Sequence, residues 1–315
     1  MIYRDLGKTG IKVSLVSCGS GGPSGLGQTK GLSQSEQTTL VRKYIELGVN
    51  YFDTAQAYNR SEEILGHGLE GVPRNSYYLS TKWNNRTLQE LELKPPADLV
   101  SSVENSLRAL RTDYIDVMMF HGVVPADYQL VIDQYYPQML KLREAGKIRF
   151  IGLSEQLRAD TTHKSPELAV THHPHLWDVL MLKYGILNQC ASVNVFPAAQ
   201  KNCVGIINMA TVRTKLTDAQ QLEALIREWK AKNYIPADSL NKTGPLDWLI
   251  HDDVKSVIDA GYKFGADHPA VATVLIGTSS ISHLENNALA LEKPFLSDMD
   301  KNRLRQLFGG IAEFV

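Results

Sequence analysis

The chain has 315 residues, enough for one large core, and its 33 basic and 34 acidic side chains leave it nearly neutral. That balance argues against nucleic acid or an anionic membrane as a partner. Cys18, Cys190 and Cys203 are too few and too scattered for a disulfide framework or a zinc ribbon. With no charged-then-apolar leader and no apolar run of about 18 residues, a soluble cytoplasmic protein is expected.

Residues 1–12 set Gly7 and Gly10 between short alternating segments, which predicts a small hairpin. Val13 to Cys18 reads as the first buried strand. It runs into GSGGPSGLGQTKG, a glycine-rich loop without phosphate-loop spacing and more in keeping with a mobile active-site loop. Ser33 with Glu36 forms a capping box for a helix to Leu47, and Asn50 to Thr54 is the second strand. A helix from Ser61 ends at Gly71-Val72-Pro73, Ser76 to Trp83 is the third strand, and a helix from Asp98 to Leu110 leads into a fourth, Tyr114 to Val123. Pro125 opens a helical region closing at Gly146, and Ile148 to Ser154 is strand five.

His163, His172, His173 and His175 then crowd one stretch. They lack the spacing of a metal site and read as a solvated loop or helix end. Val179 to Tyr184 and Val204 to Ala210 are strands six and seven, with a helix from Leu187 to Lys201 between them. A long insertion follows, with helices predicted from Asp218 to Lys232 and from Pro245 to Phe264. Ala272 to Gly277 is strand eight, Ser282 to Leu291 a helix, and a segment ending in FGGIAEFV completes the chain. Eight buried strands alternating with helices predict a (β/α)8 barrel over residues 1–315, a single domain with an N-terminal hairpin and a long insertion between strands seven and eight.

The chemistry falls at one end of that barrel. Asp53, Lys82 and His121 each lie at a strand exit, and Tyr58 sits in the loop after Asp53. A buried Asp–Lys pair is often structural, a loop tyrosine is usually packing, and one histidine can be a satisfied core residue. All four at the same end of neighbouring strands are hard to explain as packing. Asp53 would hold Lys82, the ammonium would draw the Tyr58 pKa down from about 10, and His121 would donate to a carbonyl oxygen, making a proton relay facing an alkoxide. None of these groups supplies a hydride and no metal cage is evident, so a nicotinamide cofactor is expected.

These segments resemble the aldo-keto reductases from end to end. RDLGKTGIKVS is similar to the family's opening hairpin and first strand, NYFDTAQAYNRSEEILGHGL to the block carrying its Asp and Tyr, YLSTKW to the strand carrying its Lys, and residues 114–122 to the strand carrying its His. GKIRFIGLS and LIGTSSISHLENNAL resemble the segments that hold nicotinamide and adenine ribose. The resemblance implies NAD(P)H lying across the C-terminal face of the barrel, without a Rossmann domain, and carbonyl–alcohol interconversion with Tyr58 as acid or base. It further implies cofactor contacts from Ser154, Glu155, Met181, Asn208, Thr211, Arg213, Gly277, Ser279, Ser280, His283 and Asn287.

Several of these positions depart from the family pattern. Glu155 stands where an Asn is usual and Met181 where a carboxamide-binding Gln is common. Asn208 replaces a stacking aromatic ring, as in the sugar (L-galactose) dehydrogenase branch. Ser279 and Ser280 stand where NADPH-preferring members carry Arg or Lys, which favours NAD over NADP unless Arg213 or Lys215 reaches the ribose. The expectation is a sugar or polyol dehydrogenase with a small carbonyl or alcohol substrate. The alternatives are an NADPH-dependent aldehyde or ketone reductase and a non-catalytic, cofactor-sensing binding subunit. Nothing in the sequence speaks to oligomeric state.

Overall fold

The computed structural model describes residues 1–293 and 295–314. Strands β1 (Tyr3–Asp5) and β2 (Lys12–Ser14) form an antiparallel hairpin. Eight further strands close a parallel barrel: β3 (Val16–Gly19), β4 (Tyr51–Asp53), β5 (Tyr78–Trp83), β6 (Ile115–Val123), β7 (Ile148–Glu155), β8 (Val179–Lys183), β9 (Gly205–Met209) and β10 (Val271–Ile276), with β10 returning to pair with β3. This is the (β/α)8 barrel with an N-terminal hairpin that the alternation predicts.

The helices in chain order are α1 (Gln34–Glu46), α2 (Ser61–Gly68), α3 (Asp98–Leu110), α4 (Tyr128–Leu130), α5 (Tyr136–Glu144), α6 (Lys164–Thr171), α7 (Ala191–Asn194), α8 (Phe196–Lys201), α9 (Ala219–Ala231), α10 (Val257–Asp267), α11 (Ile281–Glu292) and α12 (Asp298–Phe308). Ser33 and Glu36 cap α1 reciprocally. Helix α3 buries Leu99, Val103, Leu107 and Leu110, a stripe at helical spacing. Each such side chain contributes roughly 1.5–3 kcal/mol on burial.

Period-two alternation divides the core. Val117 and Met119 of β6 and Val179 and Met181 of β8 point into the barrel with Tyr51, Ile207 and Ala272. Their neighbours Met118, Phe120, Leu180 and Leu182 face the helices. Leu6, Ile11 and Val13 of the hairpin join the inner cluster and plug the N-terminal end. There the amide of Lys8 donates to Cys203 O at 2.7 Å. That leaves the opposite end for the site.

Four predicted boundaries change. Val13 belongs to the hairpin, because the chain bends at Leu15 before β3 starts. The helix predicted from Leu187 to Lys201 is two short ones, broken at Val195 just before Pro197, which has no N–H to continue the ladder. From Pro245 to Phe264 only a turn at Asp247–Leu249 precedes α10, where the Ser256 side chain accepts from Asp259 N and sets a later start. Helix α12 forms where the sequence predicts only a C-terminal segment. It buries just Leu304 and Phe308 as apolar anchors, and Ser297 caps it. Val315, which ends the FGGIAEFV segment, lies outside the described residues.

Candidate active site

Asp53 is the last residue of β4, and both of its carboxylate oxygens accept from Lys82 Nζ on β5, each at 2.7 Å. Ser80 Oγ donates to Asp53 Oδ1 at 2.7 Å, and Lys82 Nζ also donates to Thr54 O at 2.7 Å. Lys82 is fully buried. Burial alone would drive off its proton, but Asp53 and then Tyr58 outweigh that and hold the ammonium above its ordinary value.

Tyr58 lies over this pair, with Lys82 Nζ 5.0 Å from its ring centre. Its hydroxyl is 3.4 Å from His121 Nε2, and the two rings meet edge to face. The net push on the Tyr58 phenol is upward, not the fall that a neighbouring ammonium suggests. Desolvation of the phenolate outweighs the opposing fields of Lys82 and Arg213, and Asp53 adds to it. His121 is pulled down to about 3 by burial and then by Lys82 and Lys94, so the imidazole is neutral. Its Nδ1 is buried without a hydrogen-bond partner among the described residues.

The glycine-rich loop after β3 holds Tyr58 in place. Gln28 Nε2 donates to Ser61 Oγ at 2.9 Å and to Tyr58 O at 3.3 Å, while Gln28 Oε1 accepts from Arg60 N at 3.1 Å. Gly21 packs under the ring: a β-carbon there would stand 2.6 Å from Tyr58 Cε2. The sequence reading missed Gln28, since only the folded loop brings it to Tyr58. Around Asp53, Tyr58 and His121 opens a cleft of about 1120 Å³ at the C-terminal end of the barrel, lined also by Asn84, Gln156, Asn287 and Lys293.

Comparison with known proteins places this arrangement. The profile of the Aldo/keto reductase family matches residues 19–308. The chain belongs to that family. It is similar to an L-galactose dehydrogenase of Arabidopsis thaliana, 27% identical over 96% of this chain and 92% of that protein. It is also similar to the aldo-keto reductase YhdN of Bacillus subtilis strain 168, at 29% over 90% and 87%. Among solved structures, the holo form of aldo-keto reductase AKR11C1 from Bacillus halodurans superposes with a TM-score of 0.73 at 25% identity, over 98% of this chain and 96% of that one. The chain is thus an NAD(P)-dependent oxidoreductase of the aldo-keto reductase superfamily acting on small carbonyl or alcohol compounds.

The cleft of this aldo-keto reductase suits such a cofactor. Thr211 Oγ1, like His121 Nδ1, is buried with no partner among the described residues, so hydrogen-bonding capacity is unspent in the cleft wall. Gly277 lets the backbone approach closely: a β-carbon there would stand 2.9 Å from Gly19 O and 3.2 Å from Ser24 Oγ. Ser154, Glu155, Met181, Thr211, Arg213, Gly277, Ser279, His283 and Asn287 all line the cleft, although the Glu155 carboxylate is spent on His163 and the amide of Lys183.

Other expected contacts are placed differently. Asn208 is buried with its amide spent, Oδ1 accepting from Tyr184 N and Nδ2 donating to Tyr184 O and Gly265 O at 2.8 and 3.0 Å. It is a latch between β9, the end of β8 and α10. The Ser280 side chain accepts from His283 N and caps α11. Lys215 is turned to Gln221, and Arg213 lies beside Gly22 at the Tyr58 end of the cleft. Lys255, Asp253, Asp259 and Lys293 form part of the wall and were missed, because the insertion carrying the first three has no sequence pattern that fixes its path.

The histidine-rich stretch also divides. His163, read as solvated, is fully buried, with Nδ1 2.7 Å from Glu155 Oε2 and Nε2 3.0 Å from Asn188 Oδ1. His172, His173 and His175 lie in neighbouring positions at the end of α6. Among the described residues no three His, Cys, Asp or Glu side chains converge as metal ligands, and no helix is long and apolar enough to cross a membrane.

Proposed function

We propose that this chain is an NAD-linked dehydrogenase of sugar or polyol hydroxyls in which Tyr58 carries the proton. The observation that supports it most directly is the Tyr58–His121 contact above a buried Asp53–Lys82 pair. A nicotinamide held along the cleft wall at Ser154, Thr211 and Gly277 would take or supply the hydride. Tyr58 OH and His121 Nε2 are 3.4 Å apart, so a substrate oxygen seated over the two, not between them, is within hydrogen-bond reach of both. In oxidation the Tyr58 phenolate takes the hydroxyl proton, and Lys82 balances the phenolate charge before the transfer. Asp53 keeps Lys82 from turning away. Neutral His121 positions the oxygen without titrating near pH 7. In reduction the Tyr58 hydroxyl gives its proton to the nascent alkoxide.

The sugar reading is supported by the similarity to a protein named L-galactose dehydrogenase and by polar groups at the cleft rim, Asn84, Gln156 and Arg158. The NAD reading is supported by charge. The cleft-lining residues beside Ser279 and His283 include Asp253 and Asp259 as well as Lys255 and Lys293, and Lys293 is paired with Asp253, so the lysines facing the cleft there are matched by carboxylates. A second reading, an NADPH-dependent aldehyde or ketone reductase, draws on the raised pKa of Tyr58, since reduction needs the acid form.

Paired titrations of NADH and NADPH by tryptophan quenching, followed by kcat/KM for sugars against simple aldehydes, separate the two. Tighter NADH and better sugars are expected. NADPH tighter by tenfold, about 1.4 kcal/mol, with aldehydes preferred, would overturn the dehydrogenase reading. A protein that binds cofactor without transferring hydride would be the non-catalytic binding subunit.

A further inference from the structure

Glu155 ends β7, Asn188 lies in the tight turn after β8, and His163 lies between the two elements with no exposed surface. Four contacts fix the proton inventory. Asn188 Nδ2 donates to Thr161 O at 3.2 Å, so its Oδ1 is the atom facing His163 Nε2 and needs an N–H there. Glu155 Oε1 accepts from Lys183 N at 2.8 Å, and Oε2 lies 2.7 Å from His163 Nδ1. One further proton must occupy that last contact, whichever of the two atoms it sits on. Its position is buried from water on both sides.

The segment between Glu155 and His163 forms one wall of the cleft through Gln156, Leu157 and Arg158. It is clasped by the neighbouring loop, since Asn194 Nδ2 donates to Thr162 O at 3.0 Å beside the Asn188–Thr161 bond. His163 itself has a φ of 62°, a left-handed conformation that a residue with a β-carbon keeps when its surroundings over-determine it.

We propose that Glu155 and His163 share one buried proton and act as positioning residues, clamping the 154–158 wall against the loop after β8 until that proton is lost on the alkaline side. The wall's role as a cofactor contact rests on the function proposed above; the clamp does not. Without the shared proton, a carboxylate faces an imidazole lone pair, and either the contact opens or an unpaired charge stays buried. Asp160, on the same loop, adds negative charge, although its carboxylate is engaged by Lys164 N and Ser165 N. From β8, Lys183 faces Glu155, and Arg213 faces Lys183 from the loop after β9. The direction is consistent: both Glu155 and His163 are held above their ordinary values, so the shared proton is kept to higher pH than the free groups would keep it and is lost as pH rises through them. Lys183, brought down to about 8 by burial and then by Arg213, also loses its proton on the alkaline side.

The test is hydrogen exchange of amides 154–163 in the full chain, together with 15N-histidine NMR and NADH titration, from about pH 6 to about pH 10. Wild type should show His163 Nε2 with bound hydrogen at neutral pH, and Nδ1 in a strong hydrogen bond that is lost when the shared proton leaves. Exchange, corrected for intrinsic rate, and the NADH Kd should each rise at least tenfold where the His163 signals change. Glu155→Gln replaces the shared proton with an amide hydrogen, so it should stay protected across the range, whereas His163→Gln should exchange fast throughout. Glu155→Gln leaves Lys183 intact, so an exchange step that persists in that variant belongs to Lys183 and overturns the clamp. Protection that ignores the His163 titration overturns it too. An exchange step in a protein that binds no NADH supports the clamp and removes the cofactor reading. NADH binding without an exchange step does the reverse. If His163→Gln does not fold, wild type and Glu155→Gln still decide.

Discussion

Lys82 Nζ donates to both carboxylate oxygens of Asp53, each at 2.7 Å, and has essentially no solvent contact. Removing one partner leaves an uncompensated buried charge, which typically costs about 3–5 kcal/mol. Asp53→Asn and Lys82→Met should each lower Tm and abolish measurable turnover. The double variant should be less destabilised than the two single losses added, because neither charge is stranded. A thermal-denaturation double-mutant cycle measures this, and strict additivity would show that the pair does not act as a unit.

Tyr58→Phe removes only the hydroxyl that faces His121 Nε2. The ring, the packing on Gly21 and the loop held by Gln28 all remain. Turnover should fall about 10²–10⁴-fold, the usual worth of a positioned proton transfer, with cofactor Kd within about threefold of wild type. Stopped-flow hydride transfer together with fluorescence titration separates the two quantities. Unchanged turnover would remove Tyr58 from the chemistry.

The pH dependence follows from two buried groups displaced in opposite directions. Burial outweighs Lys82 and pushes the Tyr58 phenol up, so the acid form persists through neutral pH. Oxidation needs the phenolate, and its rate should climb close to tenfold per pH unit from about pH 7 to about pH 9. Reduction uses the hydroxyl and should stay flat over the same range. His121, pulled down to about 3 by burial and then by Lys82 and Lys94, is neutral throughout and should leave no inflection near its ordinary value of about 6.5. Single-turnover rates in both directions check this, and an inflection near that value would show that His121 charges during the cycle.

The barrel was legible because its signals are local. Buried strands read as apolar runs, and polar Asp53, Lys82 and His121 mark where three of them leave the core. Boundaries were less legible where a single residue decides them. Ser256 moves the start of α10, Pro197 breaks a helix, and α12 carries too few apolar residues to announce itself. In the site, sequence order gave the strand-borne residues but not the partners that close on them in three dimensions. Gln28 reaches Tyr58 from a different loop, His163 folds under Glu155, and Asn208 turns from the cleft to Tyr184 and Gly265. The sign of the Tyr58 shift was illegible for the same reason: an adjacent lysine can be inferred from sequence, whereas the depth of burial cannot.

Cofactor choice gives a separable pair of substitutions at Ser279 and Ser280. Ser279 lines the cleft, while the Ser280 side chain accepts from His283 N and caps α11. Ser279→Arg adds a guanidinium suited to bidentate phosphate binding in a wall whose charges otherwise balance. It should tighten NADPH at least tenfold, about 1.4 kcal/mol, with little change for NADH. Ser280→Ala removes the cap at about 1 kcal/mol and should lower Tm while leaving the NADH to NADPH affinity ratio where it was. Titrating both cofactors against both variants checks the assignment. If Ser280→Ala moves the ratio and Ser279→Arg does not, the ribose lies nearer the helix cap than the cleft geometry indicates, and the NAD reading loses its structural support.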